Sequence, residues 1–423
     1  MISHTSTFSL FRAALVTLAA AMLTACGNAP DAAAQRTATT QDTHDAALIA
    51  RGRYLAKAAD CAACHTSPDS APFAGGVKLA SPFGTFYGSN ITPDKQHGIG
   101  QWSADEFYTA LHDGKSPNGQ LYPAMPYTSY RQMSREDSDA IYAYLMSQKP
   151  AAVASREADL SFPFNVRFAV RFWKMLFLED TLPDASQGHS ADWTRGRYVV
   201  NALGHCTECH TPRGRFGQLD LTAPFAGGTL GRVIAPSLTP QGLAERGWSA
   251  ADLTTYLATG IASQGSAFGE MHSVVHLSSQ YMTPDDLRAV STYLLGDRPS
   301  EPVRVQAEAA QSGQATQFAP GRRLYLSLCA GCHGADGEGV PHVAVPMRGN
   351  STVRQSNPHN LIVSMLDGIA EQSFPGLERM QAMPGSASKL SDDELAQLAN
   401  YLRATWGGQP ADVSADSARG LRH

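Results

Sequence analysis

Three pentapeptides in this chain each bring two thiols and an imidazole to one place: Cys61-Ala62-Ala63-Cys64-His65, Cys206-Thr207-Glu208-Cys209-His210 and Cys329-Ala330-Gly331-Cys332-His333. A lone Cys-x-x-Cys suits a redox dithiol or half of a zinc site. The histidine directly after the second cysteine changes the chemistry. Two thiols at this spacing can add to the two vinyl groups of one haem, and the adjacent imidazole then lies under the iron. Zinc needs a second ligand pair at a set distance, yet successive motifs start 145 and 123 residues apart. A thioredoxin-like dithiol needs a preceding strand, whereas each motif here follows a helical pattern. The expectation is three covalently bound haem c groups. Cys61, Cys64, Cys206, Cys209, Cys329 and Cys332 would form the thioethers, and His65, His210 and His333 would be axial ligands.

A sixth iron ligand must come from later in each stretch. A methionine thioether there raises the reduction potential and closes the iron to small ligands. The first stretch has Ala124-Met125-Pro126 and the third has Ala382-Met383-Pro384. The second lacks Met-Pro and offers Met271 or Met282. Cys61 precedes Met125 by 64 residues, and Cys206 precedes Met271 by 65 but Met282 by 76. Met282 matches Met133, both just before a helix start, so both read as core and Met271 as the ligand. His272 and His276 stand as rivals for that position. His97, His112, His205, His342 and His359 have no counterpart in every stretch and read as ordinary polar residues, and Met380 reads as core.

The elements that position these groups form a repeat. Gly52-Arg53-Tyr54, Gly196-Arg197-Tyr198 and Gly321-Arg322-Arg323 each open a helical pattern before a motif. The first two units share Ala-Pro-Phe-Ala-Gly-Gly at 71–76 and 223–228, and Trp-Ser at Trp102-Ser103 and Trp248-Ser249. Each unit closes on a helix carrying Tyr-Leu, with helix starts at Ser134-x-x-Asp137, Thr283-Pro284 and Ser391-x-x-Glu394. The glycines have a structural reading: a small residue lets the first helix cross closely over the last.

Boundaries follow from these repeats. Residues 51–150, 191–297 and 319–406 are the three units, within a chain of 423 residues. Residues 26–50 form an N-terminal linker, 298–318 a flexible polar linker, and 407–423 a frayed polar tail. The linker 151–190 is unusual, because Phe162 to Leu178 is rich in Phe, Trp and Leu, with Arg167, Arg171 and Lys174 spaced for one helical face. It reads either as a connecting helix packed between domains or as a docking or membrane-surface element.

Residues 1–25 read as a signal peptide. Arg12 is the only charge there, and the apolar run Ala13 to Ala25 is too short to span a bilayer. The ending Leu23-Thr24-Ala25-Cys26 resembles a lipoprotein cleavage box, making Cys26 the lipidated first residue. That account also explains an odd total of seven cysteines, one for lipid and six for haem. The expected location is the periplasmic face of a membrane, the inner membrane in preference to the outer. A net charge of −5 leaves no surplus for nucleic-acid phosphates. No nucleotide or flavin fingerprint is present, which assigns hydride chemistry to a partner.

With its helix-start glycine, Cys-x-x-Cys-His and late methionine, each unit resembles a class I cytochrome c domain. The fold expected from that resemblance is mainly α, with three such domains in tandem. The ordered trio, the Ala-Pro-Phe-Ala-Gly-Gly segments, the aromatic linker and the lipoprotein-like start go further. From about residue 50 to 406 the chain resembles the triheme cytochrome c subunit of bacterial membrane-bound dehydrogenases acting on alcohols, gluconate, sorbitol or fructose, whose large subunit carries PQQ or FAD. Related triheme subunits also serve molybdenum hydroxylases acting on aldehydes or N-heterocycles. The resemblance implies an electron-transfer subunit rather than an enzyme. It would take electrons from a flavo-, quino- or molybdoprotein partner and pass them to ubiquinone or a terminal oxidase. A self-sufficient haem oxidoreductase with one open iron is the enzyme alternative, and a zinc or disulfide structural protein is the third.

Overall fold

The computed structural model describes residues 45–178, 187–304 and 317–422. The signal segment, Cys26 and residues 305–316 of the second linker lie outside these described residues.

Each repeat is built around a crossing of its opening and closing helices. The pairs are Ala46–Ala58 with Arg135–Met146, Ala191–Tyr198 with Pro284–Leu295, and Ala319–Leu328 with Asp392–Leu402. A Cβ on Gly52 would stand 1.8 Å from the carbonyl oxygen of Ala140, and one on Gly196 would stand 1.9 Å from that of Ala289. On Gly321 it would stand 2.3 Å from the Gln397 oxygen. The glycine is therefore what permits each crossing, as expected. The starts of the closing helices are capped as read from sequence. Ser134 Oγ accepts from Asp137 N, Thr283 Oγ1 from Asp286 N, and Ser391 and Glu394 form a capping box. Ser103 and Ser249, after the two shared tryptophans, also cap helices (Ala104–Asp113 and Ala250–Thr259).

Ten residues separate Gly196 from Cys206 against nine from Gly52 to Cys61. The extra residue is taken up by a π-helical turn at Val199–Leu203. Short antiparallel hairpins follow the motifs at Lys78–Ser81 with Gly84–Tyr87 and at Gly228–Leu230 with Val233–Ala235. Asp159–Leu160 adds a third strand to the first.

The first two repeats share one hydrophobic core, in which Leu55, Ile141 and Leu145 join Val199, Leu203, Val290 and Leu294. The third has its own core around Tyr325, Ile362, Leu395 and Leu402. It meets the second repeat through a small apolar cluster, in which Phe374 packs with Ala267 and Val275, and through polar contacts. Asn360 exchanges two hydrogen bonds with the backbone of Ile234, and Arg354 donates to the carbonyls of Glu245 and Val303.

Two expectations change. The tail is not frayed: Ser414 caps a helix at Ala415–Arg419, Val413 and Ala418 are buried, and Arg419 and Arg422 both pair with Asp392. Val413 and Ala418, with Leu421 packed against the same core, anchor the segment. In the linker, Lys174 leaves the basic face and turns inward. Its Nζ donates to the carbonyls of Asp113 and Gly114 and to Gln120, and burial lowers its pKa to about 8.

Candidate haem-binding sites

Each motif forms a single turn of helix, at Cys61–His65, Thr207–His210 and Ala330–His333, which puts residues three apart on one side. The two cysteine sulfurs of a motif therefore face the same space. None of the six forms a disulfide. Burial pushes Cys61 and Cys206 up to about 12, and Cys64, Cys209 and Cys329 up to about 11. The five so shifted are neutral thiols, which argues against an activated redox thiolate among them. Among the described residues no group of three His, Cys, Asp or Glu side chains is placed to hold a metal ion.

The three histidines are held in one way. His65 Nδ1 donates to the Ser89 carbonyl at 2.6 Å, His210 Nδ1 to Pro236 at 2.7 Å and His333 Nδ1 to Val345 at 2.9 Å. An imidazole donating from Nδ1 to a carbonyl carries its lone pair on Nε2, the tautomer that ligates iron. Burial lowers the pKa of all three, to about 4 for His210, so the rings are neutral. Their backbones are clasped as well, since the His carbonyls accept from Gly75, Gly227 and Gly339 N–H at 2.8 Å each. The shared Ala-Pro-Phe-Ala-Gly-Gly segment supplies this clasp in the first two repeats. Phe73 and Phe225 there adopt left-handed backbones, and their N–H groups donate to Thr66 and Thr211 just after each histidine.

The methionines sit on a second set of equivalent elements. Gly114 and Gly260 end helices in the left-handed region, and Leu121 N and Ala267 N donate back to their carbonyls. A tight hairpin intervenes in both, Lys115–Ser116 with Gly119–Gln120 and Ile261–Ala262 with Gly265–Ser266. Met125 and Met271 lie at the same distance beyond these glycines. Met383 lies on a strand, Met383–Pro384, paired with Gly368–Ile369 after the corresponding helix of the third repeat. All three are partly buried, as is Met282, and Met125 and Met282 both pack against the core shared by the first two repeats, in which Met133 is buried. His272 Nε2 donates to the Ser373 carbonyl at 2.9 Å, and His276 is exposed.

The polypeptide fits a covalently attached haem. Paired thiols stand beside a neutral, oriented imidazole, and Tyr127, two residues past Met125, is fully buried with a hydroxyl that has no hydrogen-bond partner. A buried donor without a partner is costly and suits a polar group supplied by a bound cofactor. A haem held there by the thiols and the imidazole would supply one-electron redox chemistry.

Several contributing residues were not evident from sequence. Asp60 and His205 precede the motif cysteines, and both have left-handed backbones. Asp60 is buried, its Oδ1 has no partner, and burial with repulsion from Glu270 raises its pKa to about 8. His205 is not an ordinary polar residue: burial lowers its pKa, and its ring meets Tyr130 edge-on at 5.7 Å. Glu208 accepts from Thr128 and Ser129 of the first repeat. Helix Glu270–Leu277 packs against the first motif in return. The first two motifs are thus neighbours: Cys209 is among the groups raising Cys64, and Asp60 and Glu270 act on both thiols. The signal available in sequence was the tyrosine of Gly-Arg-Tyr, kept in repeats one and two but replaced by Arg323 in the third.

Comparison with known proteins agrees with this geometry. A family model described as Cytochrome c matches residues 318–406, and one described as Cytochrome C oxidase, cbb3-type, subunit III matches residues 47–145. The chain is 38% identical over 397 residues to the cytochrome c subunit of alcohol dehydrogenase (quinone) from Gluconobacter oxydans, covering 89% of this chain and 83% of that protein. It is 37% identical over 418 residues to the fructose dehydrogenase cytochrome subunit of Gluconobacter japonicus, covering 92% and 85%. It is also 40% identical over 364 residues to a nicotinate dehydrogenase subunit from Pseudomonas putida, covering 85% of this chain but 30% of that longer protein. Repeated haem-type motifs, clasped histidines and end-to-end similarity lead to one conclusion: the chain belongs to the family of cytochrome c subunits of dehydrogenase complexes.

Proposed function

We propose that the chain is a triheme relay of three tandem class I cytochrome c domains, with axial pairs His65–Met125, His210–Met271 and His333–Met383. It accepts electrons singly from a dehydrogenase subunit and delivers them to ubiquinone or a terminal oxidase. The observation that carries this reading is the meeting of the first two motifs across a shared core, where Cys64 and Cys209 have the same acidic neighbours. Sites so close suit transfer between centres, and the paired axial ligands leave no iron position for substrate. The substrate chemistry belongs to the partner. A partner oxidising an alcohol or sugar is favoured by the two dehydrogenase relatives that match end to end. One oxidising an N-heterocycle is the second reading, favoured by the nicotinate dehydrogenase relative.

The reading places the protein at the periplasmic face of the inner membrane, anchored by lipid on Cys26. The helix Val170–Phe177 and the segment before it support a surface contact with that membrane. Val170 is buried, and the Trp173 indole donates to the Phe216 carbonyl at 2.9 Å, which fixes the helix to the body. Phe162, Phe168, Phe172, Met175 and Leu176 are left exposed, beside Arg167 and Arg171, and residues 161–178 contain no acidic side chain. An apolar strip flanked by cations suits anionic headgroups.

The decisive experiment is haem counting with spectroscopy on the purified chain. Three covalent haems per chain, three methionine–iron charge-transfer bands and no carbon monoxide binding support the relay. A high-spin haem that reacts with peroxide would replace it with a haem oxidoreductase. Co-purification of the dehydrogenase subunit then identifies the partner class.

A further inference from the structure

The second and third repeats meet at a small apolar cluster where Ala267, Val275 and Phe374 are buried, with Tyr256, Ile261, Met271 and Met380 packed around them. Phe374 and Met380 come from the third repeat. They lie on a hairpin in which Gln372–Ser373 pairs with Arg379–Met380 and Phe374 N donates to the Glu378 carbonyl at 2.7 Å.

Comparison of the first two repeats explains what Phe374 does there. A Cβ built on Gly114 would stand 2.5 Å from Cδ1 of Tyr127, the residue two beyond Met125. A Cβ built on the equivalent Gly260 would also stand 2.5 Å from a ring Cδ1, but that ring is Phe374. The second repeat has Ser273 two residues beyond Met271, so it has no aromatic of its own for this position. The third repeat supplies one. The same hairpin engages the next residue, since His272 Nε2 donates to the Ser373 carbonyl and its ring meets Phe374 edge-on at 5.2 Å. Donation from Nε2 takes that nitrogen out of ligation and leaves the lone pair of His272 on Nδ1.

We propose that the 372–380 hairpin of the third repeat completes the second repeat's ligand site in trans. Phe374 seats Met271, and the Ser373 carbonyl ties up Nε2 of His272. This rests on the reading of Met271 as the sixth ligand of the second haem. Phe374 is a positioning residue, and its effect is on which side chain ligates rather than on whether a haem is present.

The test uses the full-length protein with its haem content measured for every variant. Phe374→Ala should keep three covalent haems, lose one of three methionine–iron bands and shift one haem to the spectrum and low potential of two-histidine ligation. In Phe374→Ala/His272→Ala that haem should instead become high-spin and bind carbon monoxide, a switch that simple loosening does not produce. Phe374→Val should give an intermediate loss. If the alanine variant does not accumulate with three haems, the valine variant decides. Unchanged bands and potentials in whichever variant carries three haems would overturn the proposal. Met271→Ala in the native background separates the two claims: if it leaves all three bands intact, the ligand assignment fails, independently of the hairpin's role.

Discussion

Tyr198, on the opening helix of the second repeat, donates its hydroxyl to Asp137 at the start of the first repeat's closing helix, at 2.6 Å. The relation is reciprocal. Tyr54 of the first repeat donates to Asp286 at the start of the second repeat's closing helix. Each carboxylate also pairs with an arginine of its own repeat, Arg51 with Asp137 and Arg195 with Asp286. The first two repeats are therefore locked face to face by a pair of matching contacts, which the third repeat cannot make because Arg323 stands where the tyrosine would be.

Breaking this lock should loosen the pair. Tyr198→Phe removes a hydrogen bond to a buried carboxylate, worth about 1–3 kcal/mol. The melting temperature should fall, and fall further in Tyr54→Phe/Tyr198→Phe. Calorimetry checks this; a double variant that melts like the native protein would show the contact to be incidental.

The helix crossings make a sharper prediction. Gly196→Ala drives a methyl to 1.9 Å from the Ala289 oxygen, so the helices must separate at a cost of about 3 kcal/mol or more. Haem incorporation in the second repeat should drop. Gly420→Ala is the control, since a Cβ there meets nothing closer than 3.5 Å.

Ligand and core methionines should separate cleanly. Met271→Ala should abolish one methionine–iron band. Met133→Ala, in the buried core, should leave the spectrum alone and cost about 2–4 kcal/mol in denaturant unfolding. The reverse pattern would exchange their roles.

Asp60 should make stability depend on pH. Its pKa is raised from 3.8 to about 8 in the folded chain. Between these values the unfolded chain has lost the proton that the folded chain keeps, so stability falls as pH rises through the window. Asp60→Asn removes this penalty. Melts recorded from about pH 4 to pH 8 should show the variant gaining progressively on the native protein. A gap that does not change with pH would exclude a neutral buried Asp60.

The exposed strip on helix Val170–Phe177 predicts vesicle binding without lipidation. A chain starting after Cys26 should float with phosphatidylglycerol vesicles but not with phosphatidylcholine ones, and salt should weaken it. Phe168→Ser/Phe172→Ser/Met175→Ser/Leu176→Ser should bind at least ~10-fold more weakly, given ~1.5–3 kcal/mol per fully buried apolar side chain. Equal binding by the variant would show that this strip does not hold the membrane.

What the sequence by itself determined is whatever depends on neighbours along the chain. Cys-x-x-Cys-His places two sulfurs and a ring on one helical turn, Ser134, Thr283 and Ser391 cap helices through contacts three residues away, and a crossing glycine recurs eight to ten positions before each motif. Only the tertiary structure decided which repeats share a core, which residue fills the space over Gly260, and where Asp60, His205 and Lys174 face. Tyr54 meets Asp286 across 232 positions, and Phe374 lies more than a hundred positions from Gly260. No periodicity encodes such contacts, because they come from the packing of whole domains. The three motifs state the chemistry each site can hold. The docking of one repeat on another sets the neighbours of each site.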